Sequence, residues 1–112
     1  MKPEDQLQAT CTAWLRRVYP TLVFWHTENE GKRGHYAQQR LKKMGVMAGV
    51  PDYVLILPGP TPAFIELKVG KRKLTQSQLR FKETVESMNC PFAVCRSLDE
   101  FMEIINEWNG AS

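Results

Sequence analysis

The sequence predicts an α/β fold in which a mixed β-sheet with a central hairpin is flanked by helices, in the order α-β-α-β-β-α-β-α. Segments with apolar residues at helical spacing alternate with short β-rich runs along the 112 residues. Two such runs are separated only by the proline-rich stretch 58–62, which predicts the hairpin. The last strand follows a helix, so we expect it to join the hairpin through a right-handed parallel crossover. A chain of this length buries one core, so residues 1–112 should form a single domain.

Four helices are predicted from apolar periodicity and from residues that begin or end helices. Thr75 and Gln78 form a capping box at the start of the third helix, and Ser97 and Glu100 form a second box at the start of the fourth. Gly49, after the second helix, is expected to keep the chain flexible. The predicted helices cover residues 3–18, 35–44, 75–89 and 97–108.

Four strands are predicted from runs of β-branched and aromatic residues over 22–25, 53–57, 63–69 and 92–95. Residues 58–62 are expected to form only a turn, and the polar stretch 26–34 is expected to form a loop. The odd number of cysteines (Cys11, Cys90 and Cys95) lacks metal-site spacing, so we expect three small core residues without a disulfide or a zinc site.

The composition, 43% hydrophobic and 24% charged, is that of a globular protein. No apolar run approaches the roughly 20 residues that a membrane span requires. The first residues, MKPEDQLQ, lack the apolar core of a signal peptide. We therefore expect a soluble protein that stays inside the cell.

The charge is unevenly distributed along the chain. Residues 32–82 hold eleven basic residues against two acidic ones, a net charge of +9, whereas residues 1–31 carry −1 and residues 83–112 carry −5. A block this basic is typical of a surface that binds a polyanion, most commonly nucleic acid, although it could also be a solvated face that keeps the protein soluble. Its two acids, Asp52 and Glu66, would repel phosphate unless a cation neutralises them.

Asp52, Glu66 and Lys68 lie on the two arms of the predicted hairpin. Glu66 and Lys68 are two apart on one strand and therefore point to the same face. Asp52 joins them if the residue numbers of paired positions add up to 118 or to 120. A sum of 119 would put Asp52 on the opposite face. Taken separately, each residue has an ordinary structural explanation, as a strand-entry residue or part of an exposed strand face.

Together the three residues have a chemical interpretation. Two carboxylates supply the hard oxygen ligands that Mg²⁺ or Mn²⁺ prefers and leave positions open for water and a phosphate oxygen. Lys68 can orient or help to deprotonate the attacking water and can counter the phosphate charge. The pattern predicts a site that hydrolyses phosphodiesters.

This arrangement resembles the PD-(D/E)xK nuclease superfamily, and more narrowly its virus-type replication-repair nuclease (VRR-NUC) domain. The resemblance is carried by Glu4 with Gln8 and by residues 29–33, 45–52, 64–68 and 73–78, of which Gly-Val-Pro-Asp and Ile-Glu-Leu-Lys are the specific motifs. It implies a restriction-endonuclease-like fold and a divalent-metal-dependent DNA nuclease in the cytoplasm of a bacterial or phage-infected cell. Stand-alone members resemble Holliday-junction resolvases and tend to be homodimers.

The resemblance also implies roles for single residues. Asp52 and Glu66 correspond to the metal ligands, with the Leu67 carbonyl as a third and Lys68 as the catalytic lysine. Glu4 corresponds to an acid of the first helix that reaches the metal directly or through water, with Asp5 as an alternative, and each is also a favourable acid in a first helical turn. Gln78 would support the lysine or the nucleophile. The residues expected to contact DNA are Asn29, Lys32, Arg33, Lys42, Lys43, Lys71, Arg72 and Lys73.

The function predicted is that of a Mg²⁺- or Mn²⁺-dependent endonuclease that acts on branched DNA. The alternatives are a nuclease for flaps, nicks or other DNA structures, and a DNA-binding scaffold without catalysis. Because a four-way junction requires two symmetric cuts, a two-fold dimer is expected. Its candidate interface residues, which would otherwise fill the core, are Trp14, Trp25, Phe101, Met102 and Trp108.

Overall fold

The computed structural model describes residues 1–27 and 35–110, and the predicted order of elements is confirmed. The helices are α1 (Pro3–Val18), α2 (His35–Lys43), α3 (Gln76–Ser87) and α4 (Leu98–Trp108). The strands are β1 (Val23–His26), β2 (Tyr53–Leu57), β3 (Thr61–Leu67) and β4 (Phe92–Cys95).

The four strands form one mixed sheet in the order β1-β2-β3-β4. β1 and β3 both run antiparallel to β2, and β4 runs parallel to β3, as the crossover through α3 requires. In the central hairpin, Tyr53 pairs with Ile65 and Leu57 with Thr61, so the residue numbers of the partners add up to 118. This is one of the two registers expected to bring Asp52 onto the face of Glu66.

The alternation of side chains along β2 and β3 separates two faces of the sheet. Tyr53, Leu55, Ala63, Ile65 and Leu67, all odd-numbered, are fully buried in a core packed against α1 and α4. On the even-numbered face, α3 covers the β3 side, where the rings of Phe64 and Phe81 meet edge to face with centroids 5.0 Å apart. Asp52 and Glu66 belong to this second face.

Two local predictions need correction. Thr61 and Pro62 belong to β3 and not to the turn, which shortens the turn to residues 58–60. Proline is tolerated there because β4 pairs with β3 only from Phe64 onward, so Pro62 has no partner on that side of the strand. Ser97 caps α4, but Glu100 does not complete the box, because its carboxylate accepts instead from the N–H of Arg96.

Other boundaries differ by one or two residues from those expected. His26 is the last residue of β1, and β3 ends at Leu67, before Lys68. Cys11 and Cys95 are buried core residues as expected, whereas Cys90 is only half buried. Within residues 1–27 and 35–110, no helix is long and apolar enough to cross a membrane.

Candidate active site

Asp52 and Glu66 meet at the open end of the β2–β3 hairpin. Asp52 immediately precedes β2, and the register that pairs Tyr53 with Ile65 brings it opposite Glu66. The Asp52 backbone is held on the other side by β1, since its carbonyl accepts from the N–H of Thr27 at 2.8 Å. Its carboxylate oxygen Oδ2 accepts from the N–H of Leu67 at 2.7 Å, across the hairpin. Asp52 is therefore held through its backbone on the β1 side and through its side chain on the β3 side.

Glu66 is a buried carboxylate with an acidic neighbour. Only 4% of the residue is exposed. Burial, followed by hydrogen bonding to Asp52 and the negative charge of Asp52, raises the pKa of Glu66 to about 9, and the charge of Lys68 opposes this rise. Two adjacent carboxylates in this environment gain strongly from a cation bound between them.

Gln78 ties Glu66 to the first turn of α3. Its Nε2 donates to Glu66 Oε2 at 2.8 Å, while its Oε1 accepts from the N–H of Thr75 at 2.9 Å. The N–H of Gln78 in turn donates to Thr75 Oγ1 at 3.2 Å, which completes the predicted capping box. Because the carbonyl end of the amide is used by the cap, the NH₂ end must face the carboxylate. The capping and supporting roles of Gln78 are thus compatible.

Gly49 allows the loop before Asp52 to lie directly on the backbone of α3. Its φ is +81°, and a Cβ placed there would lie 2.3 Å from the carbonyl oxygen of Ser77 and 2.9 Å from the nitrogen of Gln78. The role of this glycine is close approach and not the flexibility expected from the sequence. The contact holds the Asp52 arm and the Gln78 cap against each other.

Lys68 follows the last residue of β3 and continues the ladder to β4, because its N–H donates to the carbonyl of Cys95 at 3.1 Å. The side chain is half buried, and its charge is felt by the Glu66 carboxylate. Lys68 therefore lies at the end of the hairpin where Asp52 and Glu66 meet, and its catalytic role stays a prediction.

The donor set fits a divalent cation that retains water. Within the part of the chain that the structure describes, no three His, Cys, Asp or Glu side chains gather around one point. The acidic side chains that meet there are those of Asp52 and Glu66, and the Leu67 carbonyl stays a predicted third ligand. Mg²⁺ commonly binds through one or two carboxylates and keeps several waters, so a two-carboxylate site suits it.

Comparison with known proteins gives the family. The VRR-NUC domain family matches residues 2–99. The chain belongs to the VRR-NUC domain family. A solved structure described as "VRR_NUC domain protein" is similar, with a TM-score of 0.73 and 19% identity over 100% of this chain and 92% of that chain. A second, described as "VRR_NUC domain", has a TM-score of 0.66 and 19% identity over 96% of this chain and 99% of that one. No curated protein matches.

Membership in the VRR-NUC family makes this chain a nuclease domain of the PD-(D/E)xK type, and hence a hydrolase domain that binds DNA. The family resemblance predicted from the sequence is confirmed. The two structural neighbours share with this chain the mixed α/β fold, a four-stranded sheet flanked by helices. At 19% identity this likeness shows the fold alone.

Among the described residues of this VRR-NUC domain, neither Glu4 nor Asp5 of α1 joins Asp52 and Glu66 in a group of three metal-ligating side chains. Glu4 Oε2 lies 3.8 Å from Arg72 Nη1, in a largely exposed contact between α1 and the loop after β3. Asp5 is exposed. The assignment of Glu4, or of Asp5, to the metal therefore stays a prediction.

The residues predicted to contact DNA fall in three segments. Lys42 and Lys43 are exposed at the end of α2, and residues 71–73 are exposed in the loop between β3 and α3. Arg72, in that loop, also contacts Glu4. The third segment, with Asn29, Lys32 and Arg33, lies outside the described residues.

Two positions beside the site were missed in the sequence. His26 Nδ1 donates to the Asp52 carbonyl at 3.0 Å, so the β1 side of Asp52 carries an imidazole. Tyr53 is fully buried, and its hydroxyl contacts Thr12 Oγ1 at 2.7 Å and donates to the Gln8 carbonyl at 3.0 Å, which anchors α1 to the strand that begins directly after Asp52. The position of His26 beside Asp52 follows from the pairing of β1 with β2, and no pattern in the sequence predicts that pairing.

Proposed function

We propose that this VRR-NUC domain is a Mg²⁺- or Mn²⁺-dependent endonuclease that hydrolyses phosphodiester bonds in branched DNA, as Holliday-junction resolvases do. The observation that supports it is the pairing of Asp52 with the buried Glu66 at the end of the hairpin, within reach of the charge of Lys68. Two adjacent carboxylates on a DNA-binding surface repel the phosphates of DNA unless a cation bound to them neutralises their charge. Flap, nick or other DNA structures are the alternative substrates.

Asp52, Glu66 and the Leu67 carbonyl would hold the metal, with Glu4 or Asp5 contributing through water. When bound, a divalent ion lowers the pKa of a coordinated water and stabilises charge on the phosphate. The N–H of Leu67 fixes the Asp52 carboxylate, and the Gln78 amide fixes that of Glu66. The protein therefore presents both acids in set orientations before any ligand binds.

Lys68 supplies the positive charge next to this pair. An ammonium group on a flexible stem can orient the attacking water, take part in removing its proton and face the phosphate. Gln78 acts as a positioning residue, because it contacts Glu66 through its NH₂ group and is held by the α3 cap through its carbonyl.

DNA would be held through its phosphates by the basic block. The exposed lysines of α2 and of the 71–73 loop supply sequence-independent contacts, and Asn29, Lys32 and Arg33 are proposed to add to them. Such contacts position DNA without reading bases, so recognition would rest on DNA shape.

We further propose that one 112-residue domain carries the whole site and acts in the cytoplasm as a two-fold dimer, because paired cuts in a junction require two sites. Of the five candidate interface residues, Phe101 is fully buried, and Trp14 and Trp108 pack against the core. Trp25 is exposed on β1, an edge strand of the sheet. Val23 is exposed beside it, so this edge is the proposed dimer surface.

The decisive experiment is cleavage of a labelled four-way junction in Mg²⁺, Mn²⁺ and EDTA, with linear duplex, flap and single strand alongside. Wild-type protein should make paired, symmetric cuts that disappear in EDTA. Lys68→Ala should abolish cleavage and leave binding nearly unchanged, with Lys82→Ala, on the outer part of α3, as the matched control. Asp52→Asn should abolish cleavage and tighten metal-free binding, because it removes a charge that repels phosphate.

Each outcome bears on a different part of the proposal. Cutting that favours a flap or nick would keep the chemistry and reject the resolvase role. Full activity of Lys68→Ala would reject its catalytic assignment. Binding without cleavage of any substrate, in either metal, would support a DNA-binding scaffold instead.

A further inference from the structure

The end of α2 presents an apolar surface that neither the core nor the proposed chemistry uses. Met44 is 70% exposed, Val46 55% and Met47 63%. Single exposed apolar side chains are common in soluble proteins, but three within four consecutive positions form a patch of the kind that marks interaction sites. We call Met44, Val46 and Met47 the apolar tip.

The backbone of the apolar tip is fixed by hydrogen bonds. The N–H of Val46 donates to the Leu41 carbonyl at 2.9 Å and that of Gly45 to the Lys42 carbonyl at 3.1 Å. Gly45 has a φ of +95°, so these bonds form the helix-ending motif that glycine allows. The tip is consequently presented by a defined turn, which lowers the entropy lost when it binds a partner.

The surroundings of the apolar tip are basic. Arg40, Lys42 and Lys43 are exposed in the last turn of α2, and residues 35–51 contain no acidic residue. Basic residues favour the carboxyl end of a helix in any protein, but here they lie next to exposed apolar residues, a combination that suits a partner with both negative charge and apolar surface. The charge therefore favours a polyanion over a neutral or basic protein surface.

The apolar tip is also tied to the active site. Gly49, two residues after Met47, lies against the backbone of Ser77 and Gln78, whose side chain holds Glu66. Met47 and Asp52 are five positions apart in the sequence, and even a fully extended chain would keep them within about 18 Å. DNA whose phosphate lies at the carboxylates therefore passes close to the tip.

We propose that the apolar tip recognises unpaired or unstacked bases in the DNA substrate, with Arg40, Lys42 and Lys43 holding the adjacent phosphates; this rests on the proposed nuclease function. Apolar side chains such as Met insert at base steps whose stacking is already interrupted, where the cost of separating bases is lowest. In fully paired duplex the same insertion must break intact stacking. The tip thus gives a preference for interrupted DNA, whereas the basic residues bind all DNA alike.

A second copy of the chain is a poorer occupant of this surface. Two apolar tips meeting across a two-fold axis would bring together two sets of three positive charges. The β1 strand, by contrast, carries exposed Val23 and Trp25 and has no lysine, arginine or acid of its own. Self-association is accordingly better placed on β1.

The test compares binding, by fluorescence anisotropy in EDTA, to a short labelled duplex with a central bulge of unpaired nucleotides and to the same duplex fully paired. Wild-type protein should prefer the bulged DNA by about tenfold. The variant M44S/V46S/M47S should lose this preference with its affinity for paired duplex unchanged. Fluorescence of 2-aminopurine placed beside the bulge should rise on binding of the wild type and not of the variant.

Three variants serve as controls. Met88→Ser removes a methionine that is 67% exposed at the end of α3 and should leave the preference intact. M44L/M47L keeps apolar side chains at the tip and should retain the preference. K42Q/K43Q should weaken binding to both DNAs by the same factor and reduce its salt dependence.

An unchanged preference in M44S/V46S/M47S would overturn the proposal, as would a wild type without any preference for the bulge. Loss of self-association in that variant, measured by sedimentation velocity, with the preference retained would assign the tip to a second copy. Failure of the proposed nuclease function has a different signature, namely no cleavage of any DNA in Mg²⁺ or Mn²⁺ by a wild type that still prefers the bulge.

Discussion

The buried carboxylate of Glu66 gives the protein a pH dependence at the scale of one residue. Its pKa of about 9 in the fold lies above the value of 4.5 for an ordinary Glu, because burial and Asp52 disfavour the charged form. Between these values the folded protein holds a proton that the unfolded chain has released. The free energy of unfolding must therefore fall as the pH rises through this window, by at most about 1.4 kcal/mol per pH unit.

This prediction is checked by urea unfolding of the protein in EDTA from about pH 5 to pH 9. The Glu66→Gln variant, which cannot titrate, should show a flatter dependence, and Glu83→Gln, on the exposed side of α3, should behave like the wild type. Addition of Mg²⁺ should stabilise the wild type most at the alkaline end, because a cation binds the ionised pair. A steep loss of stability that persists in Glu66→Gln would refute the assignment.

At the scale of elements, the site depends on how the 44–52 segment, the hairpin and α3 are joined. Asp52 enters from the segment, Glu66 from β3, and Gln78 from the first turn of α3. The hydrogen bonds of Asp52 to Leu67 and of Gln78 to Glu66 link them pairwise, and Gly49 closes the remaining side against Ser77. Removal of any one of these three contacts should make the positions of the Asp52 and Glu66 carboxylates less fixed while leaving both carboxylates in place.

Gly49→Ala tests this arrangement. The new Cβ would lie 2.3 Å from the Ser77 carbonyl oxygen, so the backbone of the segment or of α3 must move. Gly70→Ala is the matched control, since Gly70 also has a positive φ, +62°, but nothing lies within 4 Å of its missing Cβ. We expect Gly49→Ala to lower the free energy of unfolding by about 2 kcal/mol more than Gly70→Ala.

The same pair of variants should differ in metal binding, measured by Mg²⁺ or Mn²⁺ titration calorimetry without DNA. Gly49→Ala should weaken it, because a displaced α3 withdraws Gln78 from Glu66, and Gly70→Ala should not. Equal effects of the two substitutions on stability and on metal affinity would mean that they act only through the strain of a positive φ, and would contradict a specific role for the Gly49–Ser77 contact.

At the scale of the whole molecule, the two faces of the sheet are covered unequally. α1 and α4 pack on one face, and α3 covers the β3 and β4 side of the other through Phe81. Val23 and Trp25, on β1, point to that second face and are exposed. An uncovered apolar edge of this kind is suited to a second copy.

The dimer prediction follows from this surface. Sedimentation equilibrium should give twice the mass of the chain, and V23K/W25K should give the monomer because charges on β1 would then repel across the two-fold axis. A monomeric wild type would reject the dimer. A dimeric V23K/W25K would move the interface elsewhere, and L79K, on the exposed surface of α3, controls for the added charge.

The sequence by itself determined the elements, because helix periodicity, prolines and caps are local signals. It also indicated the family, through the motifs Gly-Val-Pro-Asp and Ile-Glu-Leu-Lys. It predicted that Asp52 and Glu66 share a face of the hairpin, because this requires only that the residue numbers of paired positions add up to an even sum. Thr75 and Gln78 could be recognised as a cap for the same reason, since both lie within one turn.

Only the tertiary structure decided what depends on contacts between distant segments. It selected the register in which Asp52 lies opposite Glu66, and brought His26 to the Asp52 carbonyl. It changed Gly49 from an expected flexible position into a close contact with Ser77, 28 residues further along the chain. A sequence pattern records what neighbours along the chain prefer, whereas such contacts arise from packing between elements whose relative positions no local preference fixes.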